Sequence, residues 1–230
     1  MEGMEWVAKY FGKTVEECEK YVEDGLQEEW DKWVSKPCKT AKQCREFYRN
    51  NIYQIYRNAW YRKPFRWDWF TKEIKSTDKV LDYGCGAGQT LECFIGKENR
   101  PKITLADVNS ATFEFVKWKY GDTANYLLIE NDNPLKEKYD WILCLDVLEH
   151  IPKAYKVFKH LLKHLKPGGN LIFWYEPGMS VGHLSESIRK NRPKVYYRLM
   201  KKADLKAHYI VKFPSNEIAV KAEWWKKEVK

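Results

Sequence analysis

Helical periodicity governs the first 75 residues and strand periodicity most of the rest. Thr14 followed by Glu17 has the form of a capping box, and the stretch from there to about Val34 has helix-forming composition. From about Thr40 to Tyr61, Tyr48, Ile52, Ile55, Tyr56 and Ala59 recur at helical spacing, so one long helix is expected. Arg45, Arg49, Tyr53 and Arg57 lie on another of its faces. A short third helix is expected over Arg66–Lys75, after Pro64. From Lys79 short apolar runs alternate with helix-length segments. Lys79–Tyr83, Ile103–Asp107, Asn125–Glu130, Trp141–Leu145 and Asn170–Tyr175 read as strands, and Gln89–Gly96, Ser110–Tyr120 and Lys153–Lys166 as helices. In the last helix Ala154, Val157, Phe158, Leu161, Leu162 and Leu165 form an apolar stripe, with five lysines on the other faces. Pro167-Gly168-Gly169 then turns the chain into the next strand. Such β–α alternation implies a parallel sheet with helices on both faces. The tail reads as a helix from Leu184 to about Lys206 with a break at Pro193. A hairpin follows, Tyr209–Phe213 and Glu217–Trp224 about Pro214-Ser215-Asn216.

Charge adds a second partition. Residues 1–31 carry net −7, residues 32–75 net +9, residues 76–176 net −1 and residues 177–230 net +8. The alternating core is therefore neutral between basic flanks, which suits an acidic substrate, nucleic acid or an anionic surface, or is simply solvated. No run reaches the roughly 18 apolar residues of a membrane span, and Met1–Ala8 has no apolar signal core. The six cysteines form no CxxC pair or Cys/His zinc spacing. A cytosolic protein without a disulfide framework, a membrane span or a metal site is the expectation.

The candidate chemistry sits at strand ends. Val80-Leu81-Asp82-Tyr83-Gly84-Cys85-Gly86-Ala87-Gly88-Gln89-Thr90 places three alternate glycines at a strand-to-helix junction, where backbone must turn tightly and approach a ligand. It is not the dinucleotide fingerprint, because Gln89 stands where the third glycine would be. Nor is it a P-loop, since no Gly-Lys-Ser/Thr follows. Asp82, two residues before the first glycine, disfavours a pyrophosphate but could receive an ammonium group. Asp107, at the tip of the second strand, suits a ribose diol or, read alone, a helix N-cap. The third element is Trp141-Ile142-Leu143-Cys144-Leu145-Asp146-Val147-Leu148-Glu149-His150-Ile151-Pro152, an apolar strand entering a polar loop.

In this order and spacing, the elements resemble the class I S-adenosylmethionine-dependent methyltransferases, of the small-molecule type with a Leu-Glu-His-Ile signature. The resemblance covers about Lys79 to Tyr175, and the terminal hairpin is consistent with it. It implies a Rossmann-like α/β fold, with a seven-stranded, mostly parallel sheet, an antiparallel last strand and a helical N-terminal extension. Residues 1–75 would form a helical cap or lid and 76–230 the methyltransferase domain, with 177–208 a variable substrate-side insertion and 209–224 the hairpin. The implied cofactor is S-adenosyl-L-methionine, leaving as S-adenosyl-L-homocysteine. Its implied contacts are Asp82, Tyr83, Gly84, Cys85, Gly86, Gly88 and Thr90 at the loop, Asp107 and Val108 at the ribose, Asp132 at the adenine, and Asp146 and Val147 beside it. Asp132 lies in Asn131-Asp132-Asn133-Pro134, which also reads as a simple turn.

Methyl transfer from a sulfonium asks the protein chiefly to align the acceptor and exclude water, with a base only where the acceptor must lose a proton. His150 is the candidate base, or a residue that caps its own loop; Glu176, at the tip of the fifth strand, is a second polar candidate. No Asp/Asn-Pro-Pro-Tyr/Phe or Pro-Cys follows the fourth strand, against DNA amino- and cytosine-C5-methylating enzymes, and no His/carboxylate cluster suggests a metal-dependent catechol type. The acceptor site then falls to the basic flanks. There Trp60, Tyr61, Phe65, Trp67, Trp69 and Phe70 accompany Arg49, Arg57, Arg62 and Arg66. These could form a lid holding an acid or phosphate, a base-stacking surface, or ordinary helix packing with arginines reaching into water. The expected activity is methyl transfer to a small, anionic acceptor. The alternatives are an RNA (tRNA-type) methyltransferase and a non-catalytic binding subunit of the same fold.

Overall fold

One seven-stranded sheet, in the order β3-β2-β1-β4-β5-β7-β6, organises the chain. The strands are β1 (Lys79–Tyr83), β2 (Lys102–Asp107), β3 (Asn125–Leu128), β4 (Tyr139–Leu145), β5 (Leu165–Trp174), β6 (Leu205–Phe213) and β7 (Val220–Lys227). This is a computed structural model, and it describes residues 3–35, 40–61, 67–131, 134–174, 186–213 and 220–229. The first five strands pair in parallel, and β7 runs antiparallel to both β5 and β6. The order therefore reverses between β1 and β4, where open α/β sheets bind ligands at their carboxyl edge.

Period-two alternation along the strands divides the core into two layers. Val80, Leu143 and Ile172 face the layer formed by the N-terminal helices and α7, while Leu81, Ile142, Leu171 and Phe173 face α8 and α9. The helices are α1 (Gly3–Phe11), α2 (Val15–Ser35), α3 (Ala41–Arg49), α4 (Tyr53–Tyr61), α5 (Asp68–Thr71), α6 (Gln89–Glu92), α7 (Ala111–Tyr120), α8 (Ala154–His164) and α9 (Glu186–Lys202). The capping box before α2 forms in both directions: Glu17 N–H donates to Thr14 Oγ1 at 3.2 Å, and Thr14 N–H to Glu17 Oε2 at 2.8 Å. The α8 stripe is buried as its spacing requires. Phe158, fully buried, packs its ring 5.2 Å from that of Phe173 and 4.9 Å from that of Tyr196. Phe158→Ala is expected to cost about 3–5 kcal/mol of unfolding free energy, read as a lowered urea midpoint at unchanged slope.

Several sequence expectations are corrected. The single helix over Thr40–Tyr61 is two, α3 and α4, separated at Asn50-Asn51. Asparagine bonds its surroundings through its side chain more readily than it continues a helix. Here Asn51 Nδ2 donates to Glu29 Oε2 at 3.0 Å, and Tyr53 Oη donates to the Val22 carbonyl at 3.0 Å, anchoring α4 separately on α2. Tyr53 is thus buried rather than aligned with the arginines, and Ile52 is exposed. The helices expected over Gln89–Gly96 and Arg66–Lys75 shorten to α6 and α5, each four residues followed by turns. Pro193 does not break α9, because proline removes one backbone donor while Tyr196 and Met200 beyond it are buried in the core. The chain leaves that helix earlier than expected, at Lys202, so β6 begins at Leu205 and is longer than expected, while β7 runs on to Lys227. At Pro167-Gly168-Gly169 the β5 ladder is interrupted and resumes at Asn170, opposite Trp141.

Candidate functional site

β1 lies between β2 and β4, so the segments leaving these three strands emerge side by side at the carboxyl edge. The glycine loop leaves β1 tied to β2: the N–H groups of Gly84 and Cys85 both donate to the Ala106 carbonyl, at 2.8 and 3.1 Å. Gly84 has a positive φ of 74°, and a Cβ there would lie 2.5 Å from Val147 Cγ2. Only glycine lets the post-β4 segment pack so closely on the loop. Beneath it, buried Asp82 accepts a hydrogen bond from Thr90 Oγ1, joining β1 to α6. Tyr120 on α7 supports the loop from outside, donating to the Gly88 carbonyl at 2.9 Å.

Asp107 joins the loop to the second strand. Its Oδ2 accepts from Gly86 N–H at 3.0 Å and its Oδ1 from Val108 N–H at 2.7 Å. The Cys85 thiol also contacts Oδ2, weakly, at 3.9 Å, and the carboxylate keeps acceptor capacity for further donors such as a vicinal diol. Burial pushes this carboxyl up to about 6, against the two N–H groups that draw it down. Cys85 is buried beside it, and burial together with Asp107 and Asp82 drives its thiol well above the ordinary range, so it is not a nucleophile at neutral pH.

After β4 the chain turns sharply. Asp146 has φ 57°, a left-handed conformation that aspartate tolerates better than most residues, and its N–H donates to the Trp174 carbonyl at 3.1 Å. Leu148–His150 form a 3-10 turn, and Tyr48 Oη on α3 lies 2.9 Å from His150 Nδ1. On the β1 side Gln89 Nε2 donates to the Asn58 carbonyl of α4 at 2.7 Å. The N-terminal helices therefore reach both the β1 and the β4 segments.

Of the residues expected at the site, Asp82, Gly84, Cys85, Gly86, Gly88, Thr90, Asp107, Val108, Asp146, Val147 and His150 all occupy this edge or the loop within it. The Tyr83 side chain is instead buried in the layer under α8 and α9, so only its backbone faces the loop's path. Asp132, Glu176, Arg62, Phe65 and Arg66 lie outside the described residues. Arg49 is exposed and Arg57 half-buried, while Trp67 and Phe70 are buried in the core and Trp60 and Trp69, partly buried, pack against it. Tyr48, Asn58 and Tyr120 had no sequence signal as site residues, since each acts on a segment distant in the chain. Among the described residues no helix is long and apolar enough to cross a membrane, and no group of three or more His, Cys, Asp or Glu could hold a metal ion.

A family model for a methyltransferase domain matches residues 56–207. The chain is 31% identical over 132 residues to malonyl-[acyl-carrier protein] O-methyltransferase 1 of Ilyobacter polytropus, covering 56% of this chain and 49% of the relative. It is 28% identical over 115 residues to the ubiquinone biosynthesis O-methyltransferase of Pseudomonas savastanoi pv. phaseolicola, covering 48% and 50%. It thus spans about half the length of these curated relatives. Magnesium protoporphyrin IX methyltransferase from Synechocystis PCC 6803 with bound SAH has a similar fold, with a TM-score of 0.54 at 14% identity over 70% of this chain and 80% of that one.

Proposed function

Because this chain belongs to the methyltransferase-domain family, we propose that it is an S-adenosylmethionine-dependent methyltransferase acting on a small, anionic acceptor. The observation that carries this reading is the junction of Asp107 with the glycine loop, where Gly86 N–H meets Oδ2 at 3.0 Å at the sheet's reversal point. The residues fit the cofactor. Among the described residues a Cβ on Gly86 would meet only Asn58 Nδ2, at 3.7 Å, an ordinary contact that leaves room beside the loop. When bound, the cofactor supplies an electrophilic methyl group on a sulfonium sulfur. Asp107 and Val108 would hold the ribose and Asp132 the adenine side, and Gly84, Gly86 and Gly88 would pass beneath the methionine part. Asp82 and Thr90 fix the loop near its amino group, and Asp146 and Val147 border it. His150, on the neighbouring segment, would face the acceptor, with residues 1–75 as the cap above it. The malonyl group in one relative's name is anionic, which together with the basic flanks supports an anionic acceptor.

The test is binding of S-adenosylhomocysteine to the purified chain. At 100 times its dissociation constant it should add about 2.7 kcal/mol of stability; an unmoved melting temperature at millimolar ligand would refute the reading. Affinity should also fall as pH drops through about 6, because the diol needs the Asp107 carboxylate and not the carboxyl. The same raised value works oppositely on the ligand-free fold. Ionisation of Asp107 opposes folding, so its contribution to stability improves as pH falls from above 6 toward 3.8. Calorimetric titration at pH 7.5 and pH 5 separates the two effects.

A further inference from the structure

The three alternate glycines of the loop face different neighbours. A Cβ on Gly84 would lie 2.5 Å from Val147 Cγ2, and one on Gly88 2.5 Å from Tyr120 Cε2, so packing within the protein closes both positions. Gly86 differs. Among the described residues its Cβ direction is met by the Asn58 amide, with Nδ2 at 3.7 Å, and by no apolar atom. Asn58 is half-buried on α4, and its main-chain carbonyl accepts from Gln89 Nε2 at 2.7 Å. Buried Ile55 and Tyr56, with the Tyr53 hydroxyl on the Val22 carbonyl, seat α4 in the N-terminal layer. An anchored helix, remote in sequence, thus presents an amide to the middle of the loop.

The loop itself has little to offer an anion. Of the five N–H groups from Gly84 to Gly88, four are already spent. Those of Gly84 and Cys85 go to the Ala106 carbonyl, that of Gly86 to Asp107 Oδ2 and that of Gly88 to the Cys85 carbonyl. The loop also lies against two carboxyl groups, Asp82 buried beneath it and Asp107 beside it. The methionine part of the cofactor carries an ammonium and a carboxylate. Like charge keeps the carboxylate from the acidic side, which suits the ammonium. It therefore needs donors from outside the loop, and α4 supplies one from a segment, residues 32–75, of net charge +9.

We propose that Asn58 is a cofactor contact supplied by the N-terminal helices, its Nδ2 donating to the carboxylate of the methionine part. The inference rests on the reading that this loop carries S-adenosylmethionine. It extends the site to a residue before β1, and it makes α4 the element that selects ligands with an intact amino-acid carboxylate.

Calorimetry on the full chain at pH 7.5 tests this with two ligands. S-adenosylhomocysteine has the carboxylate; its decarboxylated analogue keeps the adenosine, sulfur and amine without it. Asn58→Ala removes the amide but leaves the main-chain carbonyl that Gln89 uses, and alanine is the better helix former, so α4 should stay in place. The variant should bind S-adenosylhomocysteine about 10- to 100-fold more weakly, as loss of a hydrogen bond to a charged group does. Its affinity for the decarboxylated analogue should stay within about twofold of wild type. Asn58→Asp, similar in shape but anionic, should weaken S-adenosylhomocysteine more than Ala does and spare the analogue. Equal weakening of both ligands by Asn58→Ala would mean that the residue only shapes the helix, and unchanged S-adenosylhomocysteine affinity that the carboxylate is held elsewhere. Either result overturns the proposal while leaving the cofactor reading standing. A wild type that binds neither ligand defeats the cofactor reading itself, and this inference with it.

Discussion

Gly86→Arg should reduce S-adenosylhomocysteine affinity by at least about 100-fold, or roughly 2.7 kcal/mol, while leaving the fold intact. Gly86 sits at the middle of the loop with φ 52°, where an L-residue is strained by about 1–2 kcal/mol. That is a fraction of the roughly 5–15 kcal/mol by which domains are usually stable. Among the described residues space does not oppose the substitution, because a Cβ there would meet only Asn58 Nδ2, at 3.7 Å. An arginine side chain would therefore stand in the opening above the loop, the volume assigned to the cofactor. Gly84→Ala tests a different property, since its Cβ would strike Val147 Cγ2 at 2.5 Å and push the β4 segment away. The two variants should part company: Gly86→Arg melts within a few degrees of wild type without responding to ligand, and Gly84→Ala is itself destabilised. Wild-type affinity in Gly86→Arg, measured by calorimetry, would show that the cofactor does not lie over this loop.

These residues also show where local sequence is sufficient. The Thr14–Glu17 box, the α8 stripe and the five parallel strands are legible because each is fixed by neighbours within a turn or by alternation along a strand. The glycines and Asp107 are legible for the same reason, being set by the ends of β1 and β2. The break at Asn50-Asn51 is not, since the apolar spacing of Tyr48, Ile52 and Ile55 runs straight through it. What overrides the spacing is the anchoring of Asn51 on Glu29 and Tyr53 on Val22, which helical periodicity does not encode. Pro193 errs in the other direction, a local breaker overruled by burial of the residues that follow. The Tyr48–His150 contact is wholly non-local, joining α3 to the post-β4 turn across 102 residues, so no local pattern announces it.

Asp107→Asn should separate the carboxylate's work for the ligand from its work for the fold. In the wild type both oxygens accept backbone N–H groups, from Val108 at 2.7 Å and Gly86 at 3.0 Å. An amide has one oxygen, so whichever way it is turned its NH2 faces one of these donors and loses that bond. It also offers the ribose one acceptor where the carboxylate offers two. Losing charge-assisted hydrogen bonds at about 1.5–3 kcal/mol each should weaken S-adenosylhomocysteine by on the order of 100-fold at pH 7.5. The pH dependence centred near 6 should vanish with the titrating group. Ligand-free stability moves less, because ionisation of a buried carboxyl opposes folding and its removal offsets part of the lost hydrogen bonding. Binding should therefore collapse while the melting temperature at pH 8 changes little. If Asp107→Asn binds as tightly as the wild type and keeps the same pH profile, the ribose is held elsewhere and Asp107 serves only to tie the loop to β2.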